Sequence, residues 1–435
     1  MRAQRHSAAG PYRYILSLLF LSYVVAFLDR GLVGVAAAAI KHDLALSDFQ
    51  VGLLSGTAFV ALHCLCGIPL GWLADRTQRR LVIAVGLIFW STMTALCAVA
   101  TSFAGFFMAR IGVGFGEACL VPAGLSLLGS VVPGERMGKS IAVFLIGATA
   151  GNGIALLTGG YFLERFGGAA VVVPFLGAMT PWRALFLLAS IPGMLLAVFF
   201  ITIRETARSS TALGPVRAFK VALRLLWSNR GAYGLLTAST ACIIVLAQAQ
   251  VAWMPLFFVR SYGIAPGLSA LLVGALFSIS APAGQWFGGA LIDELKARGS
   301  VAAPSTVQAA ASVLCIPPAI VFCLAKRIEY SGIAYLAFNL LVFAATPAGL
   351  TGWQFLTPAR SKALVVAILV AVVTLVGVGL GIPAVGFISD HYFHDASTLG
   401  RPLLVVLVAA AITGCITALL ARRALLGAHL RARRA

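Results

Sequence analysis

Apolar runs of about 20 residues, each long enough to cross a bilayer as a helix, recur along the chain. They predict twelve spans, at 14–36, 49–73, 81–100, 104–131, 139–162, 184–203, 231–258, 267–292, 302–325, 331–354, 362–388 and 402–421. The runs are rich in Gly and Ala and lack alternating polarity, which argues for helices and against a barrel of short strands. The expected fold class is an all-α membrane protein. A polar, basic stretch at 204–230 divides the spans six and six. The expected domains are an N-terminal six-helix bundle over 1–203, a linker over 204–230 with a surface helix around Val216–Trp227, and a C-terminal bundle with a basic tail over 231–435.

Four charges interrupt the apolar pattern: Asp29 and Arg30 in the first span, Arg110 and Glu117 in the fourth. A charge near the middle of a membrane helix costs roughly 2.5–3.5 kcal/mol on insertion scales, so each calls for a partner or a water-filled cavity. The alternative, a first helix that ends at Leu28 with its pair among the headgroups, is opposed by the apolar run from Gly31 to Ala39. Arg110 and Glu117 are seven residues apart, near one face of a helix and about 10 Å apart along its axis. Asp29 and Arg110 fall at matching depth, with Glu117 one to two turns deeper. Asp29 is expected to face Arg110, and Arg30 to be shared between Glu117 and a substrate. Ionised, the four sum to zero, so a proton taken up by Asp29 or Glu117 leaves net positive charge. The competing reading is a static buried ion network.

Composition fixes the solvent. Hydrophobic residues make up 60% and charged residues 10%, outside the range of soluble domains. The net charge of +19 invites a nucleic-acid reading, but with the N-terminus in the cytoplasm 23 of the 32 Lys and Arg residues fall on that side, seven on the other and two within spans. That is the positive-inside asymmetry, so no nucleic-acid partner is expected. The C-terminal arginines are expected to meet anionic lipid. A basic start followed by an apolar run also resembles a secretory signal, but removing it would leave eleven spans, and the first run is longer than a signal core. All eight cysteines lie within spans without CxxC or His-cluster spacing, so no metal or cofactor is expected. No phosphate loop or nucleophile elbow appears, and an enzyme is not expected.

The stretch GWLADRTQRR at 71–80 brings a resemblance. Gly71, Leu73, Ala74, Asp75, Arg76, Arg79 and Arg80 resemble the signature loop between the second and third helices of the major facilitator superfamily. A weaker echo, GALIDELKAR at 289–298, puts Gly289, Leu291, Asp293 and Arg298 in register with it, as a two-half transporter predicts. Asp29-Arg30, Arg110 with GVGFGEA, PWRALFLLASIPG at 181–193 and GLGIPAVGFISD at 379–390 are similar to the Spinster-type branch in a bacterial form, over nearly the whole chain.

The resemblance implies the major facilitator fold, twelve transmembrane helices in two pseudo-symmetric six-helix bundles around a central cavity, working as a monomer. It implies a proton-coupled transporter of the bacterial inner membrane with both termini cytoplasmic. Asp29 and Glu117 would be its protonation sites, Arg30 and Arg110 their charge partners or substrate ligands. Gly71, Asp75, Arg76, Arg79 and Arg80, with Asp293 and Arg298, would form gating loops. Animal members move sphingolipids and lysophospholipids.

The chain departs from the pattern in a longer connection at 164–181, in Pro383 displaced by one residue, and in a fifth span without the Gly-Pro pair of drug antiporters. A lone His63 in the second span reads as a packed residue. The C-terminal spans hold neutral polar groups, Gln248, Gln250, Gln285, Asn339 and Gln354, with Trp253, Trp286 and Trp353, read as interhelical contacts and interface anchors. A mainly apolar second wall would suit a lipid tail. Three readings stand open: a proton-coupled carrier of an anionic amphipath such as a lysolipid or sphingolipid, a carrier of a small organic anion or drug-like compound, and a receptor or scaffold that binds without transport.

Overall fold

The computed structural model describes residues 9–167, 169–174, 176–203, 215–358, 361–393 and 399–434. Among them are twelve helices long and apolar enough to cross a membrane: Tyr12–Val35, Asp48–Ala74, Arg79–Val99, Phe103–Val131, Arg136–Phe166, Pro181–Ile201, Arg230–Tyr262, Pro266–Ala297, Ala303–Leu324, Ile328–Leu356, Leu364–Phe393 and Gly400–Leu426. Each coincides with one predicted run. Their outer faces are apolar too: along the third span Leu81, Val85, Ile88 and Leu96 are exposed at helical spacing. Such a stripe suits lipid and would be a liability in water.

Several spans are interrupted, and prolines account for most of the breaks. Pro122 has no N–H for the carbonyl of Ala118, and the fourth span accordingly breaks after Glu117 and resumes at Leu120. In the eleventh span Pro383 leaves the carbonyl of Gly379 without its helical donor, and the Thr57 hydroxyl donates to it instead at 2.6 Å. The helix resumes at Gly381 and ends in a π-turn over Ser389–Phe393. The second span starts with a capping box, Ser47 with Gln50, and breaks at Gly56 between Asp48–Ser55 and Thr57–Arg76.

The connection at 164–181, whose form the sequence left open, holds a short antiparallel hairpin. Its strands β1 (Val171–Val173) and β2 (Gly177–Met179) pair Val171 with Met179 and Val173 with Gly177, whose φ of +79° a side chain would strain.

The chain forms two compact units. The first comprises residues 1–46, 58–211 and 265–274; the second comprises 47–57, 212–264 and 275–435. In the first, Trp90, Phe106, Phe144, Trp182, Phe186 and Phe200 are fully buried, and glycines bring backbones together. A Cβ at Gly114 would strike the Phe59 carbonyl, and one at Gly267 the backbone of Glu164. In the second unit, Phe257, Phe258, Phe322 and Tyr335 form an edge-to-face aromatic core. A separate cluster joins Tyr233, Trp353, Val365 and Leu369.

Candidate functional site

The first unit holds a four-charge cluster, three of whose members are buried and the fourth, Arg30, partly so. Asp29 is 2% exposed, Arg110 0% and Glu117 1%. Arg30 donates from Nε at 2.9 Å and Nη2 at 2.6 Å to a single oxygen, Oε2, of Glu117. Arg110 Nη1 stands 3.7 Å from Asp29 Oδ1, close enough to attract but too far for a hydrogen bond. The other oxygen of Asp29 accepts from Thr94 of the third span at 2.5 Å. The two helices thus pair their charges crosswise, and matching depth anticipated the Asp29–Arg110 pair. Asp29 faces Arg110, and Arg30 faces Glu117.

Hydrogen bonding is incomplete in a pattern that separates the pairs. All three guanidinium nitrogens of Arg110 are buried without a hydrogen-bond partner among the described residues, as are Asp29 Oδ1 and Glu117 Oε1. Buried polar groups are nearly always satisfied, so five unpaired atoms in one cluster demand a reason.

A residue that sequence reasoning missed organises the cluster. The Phe59 ring lies 4.1 Å from the Arg30 guanidinium and 5.9 Å from that of Arg110. Phe27 covers Arg30 from a second ring at 4.4 Å. Held between two aromatic faces, Arg30 is fixed toward Glu117. Phe59 reaches this position because Gly114 lets the second and fourth spans touch. His63 packs on the same ring at 4.8 Å and meets the Gly114 carbonyl at 3.3 Å, a packed position.

The signature-loop residues tie neighbouring helices together. Gly71 lets the second span close on Pro122 of the fourth. Buried Arg79 donates to the Ser126 carbonyl at 2.8 Å, and Arg80 to the Ile201 carbonyl at the end of the sixth span, also at 2.8 Å. Arg76 lies over Trp72 at 4.0 Å. The side chain of Asp75 lies outside the described residues. The echo at 289–298 is looser: Gly289 faces open space, Asp293 pairs with Lys296 at 3.5 Å, and Arg298 with Glu294 at 2.7 Å, both within one stretch of chain. The PWR stretch of the sixth span anchors the first unit, with Trp182 donating to Asp43 at 2.9 Å and Arg183 to the Ala98 and Ala100 carbonyls.

The second unit holds a different charged cluster, whose members looked like ordinary loop and span-end residues. Asp48 is 3% exposed. It accepts both Arg260 Nη groups, at 2.8 and 2.6 Å, and the Ser389 hydroxyl at 2.7 Å. Asp390 caps the same helix, its two oxygens accepting the N–H groups of Asp48 and Phe49 at 3.1 and 2.7 Å. Deeper in that unit the polar groups are neutral: Tyr335 donates to Gln250, which donates to Asn339 at 3.0 Å, and Ser239 donates to Gln308 at 2.6 Å. Gln250, Asn339 and Trp253 are interhelical contacts, Trp353 is core and Trp286 is exposed. Among the described residues, no group of His, Cys, Asp and Glu has the arrangement of a metal site.

The twelve-helix architecture is shared with known transporters. It is 27% identical over 430 residues, 95% of this chain and 93% of the relative, to an MFS-type efflux pump of Mycolicibacterium smegmatis. It is 26% identical to a probable L-galactonate transporter of Escherichia coli, over 64% of this chain and 61% of that one. A crystal structure of a bacterial homologue of the human lysosomal transporter Spinster, inward-facing and unoccupied, superposes with a TM-score of 0.81 at 24% identity, covering 95% of this chain and 97% of the other. The Major Facilitator Superfamily model matches residues 19–352, and the chain belongs to that superfamily of secondary transporters.

Proposed function

We propose that the chain moves an anionic substrate in a proton-coupled cycle of alternating access, with Asp29 and Glu117 as the proton sites. The observation that carries this reading is Arg110, wholly buried in the spans and without a hydrogen-bond partner among the described residues. A guanidinium in that condition offers five donors to an anion. Asp29 balances its charge from 3.7 Å without consuming those donors. Proton uptake by Asp29 removes the balancing charge and strengthens the pull of Arg110 on an anion; proton uptake by Glu117 weakens the hold on Arg30. Either event changes which contacts the first and fourth spans can make, which is how a ligand shifts a conformational equilibrium.

The substrate favoured is an anionic amphipath, a lysolipid or sphingolipid, because the polar groups deep in the described spans of the second unit are neutral, Tyr335, Gln250 and Asn339 bonding to one another, and a mainly apolar half suits a lipid tail. A small organic anion is the second reading, supported by the similarity to the probable L-galactonate transporter, whose named substrate is a sugar acid. Purified protein in liposomes under an imposed proton gradient separates the readings. Gradient-dependent flux of a lysophospholipid supports the first, and flux of L-galactonate alone supports the second. Saturable binding of either without flux would make the chain a receptor and overturn the proposal.

A further inference from the structure

The helix Pro215–Ser228 is separated from the helix of the seventh span, Arg230–Tyr262, by Asn229 alone, so it adjoins one end of that span. One face belongs to the protein: Ala222 is buried, and Leu225 and Leu226 pack beside it on the cluster of Tyr233, Trp353 and Val365. That contact accounts for one apolar stripe, and an amphipathic surface helix needs only one. Here the apolar face runs on past that contact, since Phe219 lies about 20° from Leu226 and about 60° from Ala222 round the helix.

Phe219, Leu223 and Trp227 recur at intervals of four, on one side of the helix, and all are exposed, Trp227 by 72%. Lys220 and Arg224 follow Phe219 and Leu223 by one position each, about 100° further round, and are exposed as well. They form a basic ridge along the outward apolar stripe. The Arg230 guanidinium at the start of the seventh span lies 5.4 Å from the Trp227 ring. Local sequence offers this ridge little acid: from Phe166 to Ile292 the chain holds eight Lys and Arg residues and one carboxylate, Glu205.

We infer that Pro215–Ser228 is a docking surface for anionic phospholipid headgroups of the membrane the chain spans. Phe219, Leu223 and Trp227 enter the boundary between headgroups and acyl chains, while Lys220 and Arg224 meet phosphates. An outward stripe of Phe, Leu and Trp flanked by basic residues is the composition of an interfacial helix, and each basic residue near an anionic surface adds attraction. The direct connection to a membrane span is what makes lipid, rather than a soluble partner, the occupant. Lipid binding here is independent of which substrate the chain carries.

The test uses the full chain reconstituted in vesicles. The emission of Trp227 is taken as the difference between the native protein and Trp227→Phe. Brominated phosphatidylglycerol is expected to quench it several-fold more than brominated phosphatidylcholine at the same mole fraction. Lys220→Glu with Arg224→Glu should abolish that preference, and the milder Lys220→Ala with Arg224→Ala should reduce it if charge reversal prevents folding. Absence of quenching by either lipid, equal quenching by both, or a preference that survives in the variants would each overturn the inference.

Discussion

Two charged clusters, one in each unit, answer the same physical problem in opposite ways. Around Asp48, the carboxylate takes a bidentate arginine and a serine hydroxyl, while Asp390 caps the helix that carries it. Around Asp29, the arginine opposite makes no hydrogen bond among the described residues, and one oxygen of each carboxylate has no hydrogen-bond partner among them. A buried ion pair offsets its desolvation only when geometry is good and the remaining donors and acceptors are filled. The Asp48 cluster meets that condition and reads as a fastening. The Asp29 cluster does not, and on that difference the proposed proton and substrate chemistry rests.

The largest effect that would break this contrast is on stability. Asp48→Ala leaves Arg260 with neither of its carboxylate bonds and should cost about 3–5 kcal/mol, read as a lowered unfolding midpoint of the purified protein in detergent. A change below about 1 kcal/mol would mean that the fastening bears little weight. Asp390→Asn keeps the shape but leaves one acceptor in place of two and removes the charge at the helix start, and should cost about 0.5–1.5 kcal/mol in the same assay. Adding Asp390→Asn to Asp48→Ala should cost less than the sum of the two, since both act on one helix start.

Phe59 sharpens the comparison from the other side. Phe59→Leu retains most of the apolar volume but removes the ring face that holds Arg30 and stands near Arg110. The lost cation–π contact is worth about 0.5–2 kcal/mol. The expected outcome is a displaced pH profile of proton-driven flux in a protein that still folds; an unchanged profile would reduce Phe59 to packing.

Much of this was legible in the sequence, for reasons that also explain what was not. Span number follows from run length, and the charges of the first and fourth spans stood out because apolar surroundings make any charge conspicuous. Matching depth, at 1.5 Å of rise per residue, was enough to pair Asp29 with Arg110 across helices. Asp48, Arg260 and Asp390 were hidden because span ends are where charges ordinarily occur, and their contacts join residues 212 and 342 positions apart. Phe59 was hidden because an aromatic in an apolar run looks like core, and only the close approach at Gly114 makes it a platform. The echo at Gly289 matched in letters but not in packing, since a glycine's role depends on a neighbour that sequence does not name.

The central claim is that the Asp29 cluster is held together for chemistry rather than for stability. Its most direct test is proton-driven uptake of an anionic amphipath by Glu117→Gln in liposomes, with the unfolding midpoint measured on the same preparation. Glutamine keeps an acceptor for Arg30, which retains its two aromatic faces, so stability should fall by less than the roughly 3–5 kcal/mol expected of Asp48→Ala while gradient-driven accumulation is lost and downhill exchange persists. Full accumulation with native pH dependence, in this variant and in Asp29→Asn alike, would contradict the account.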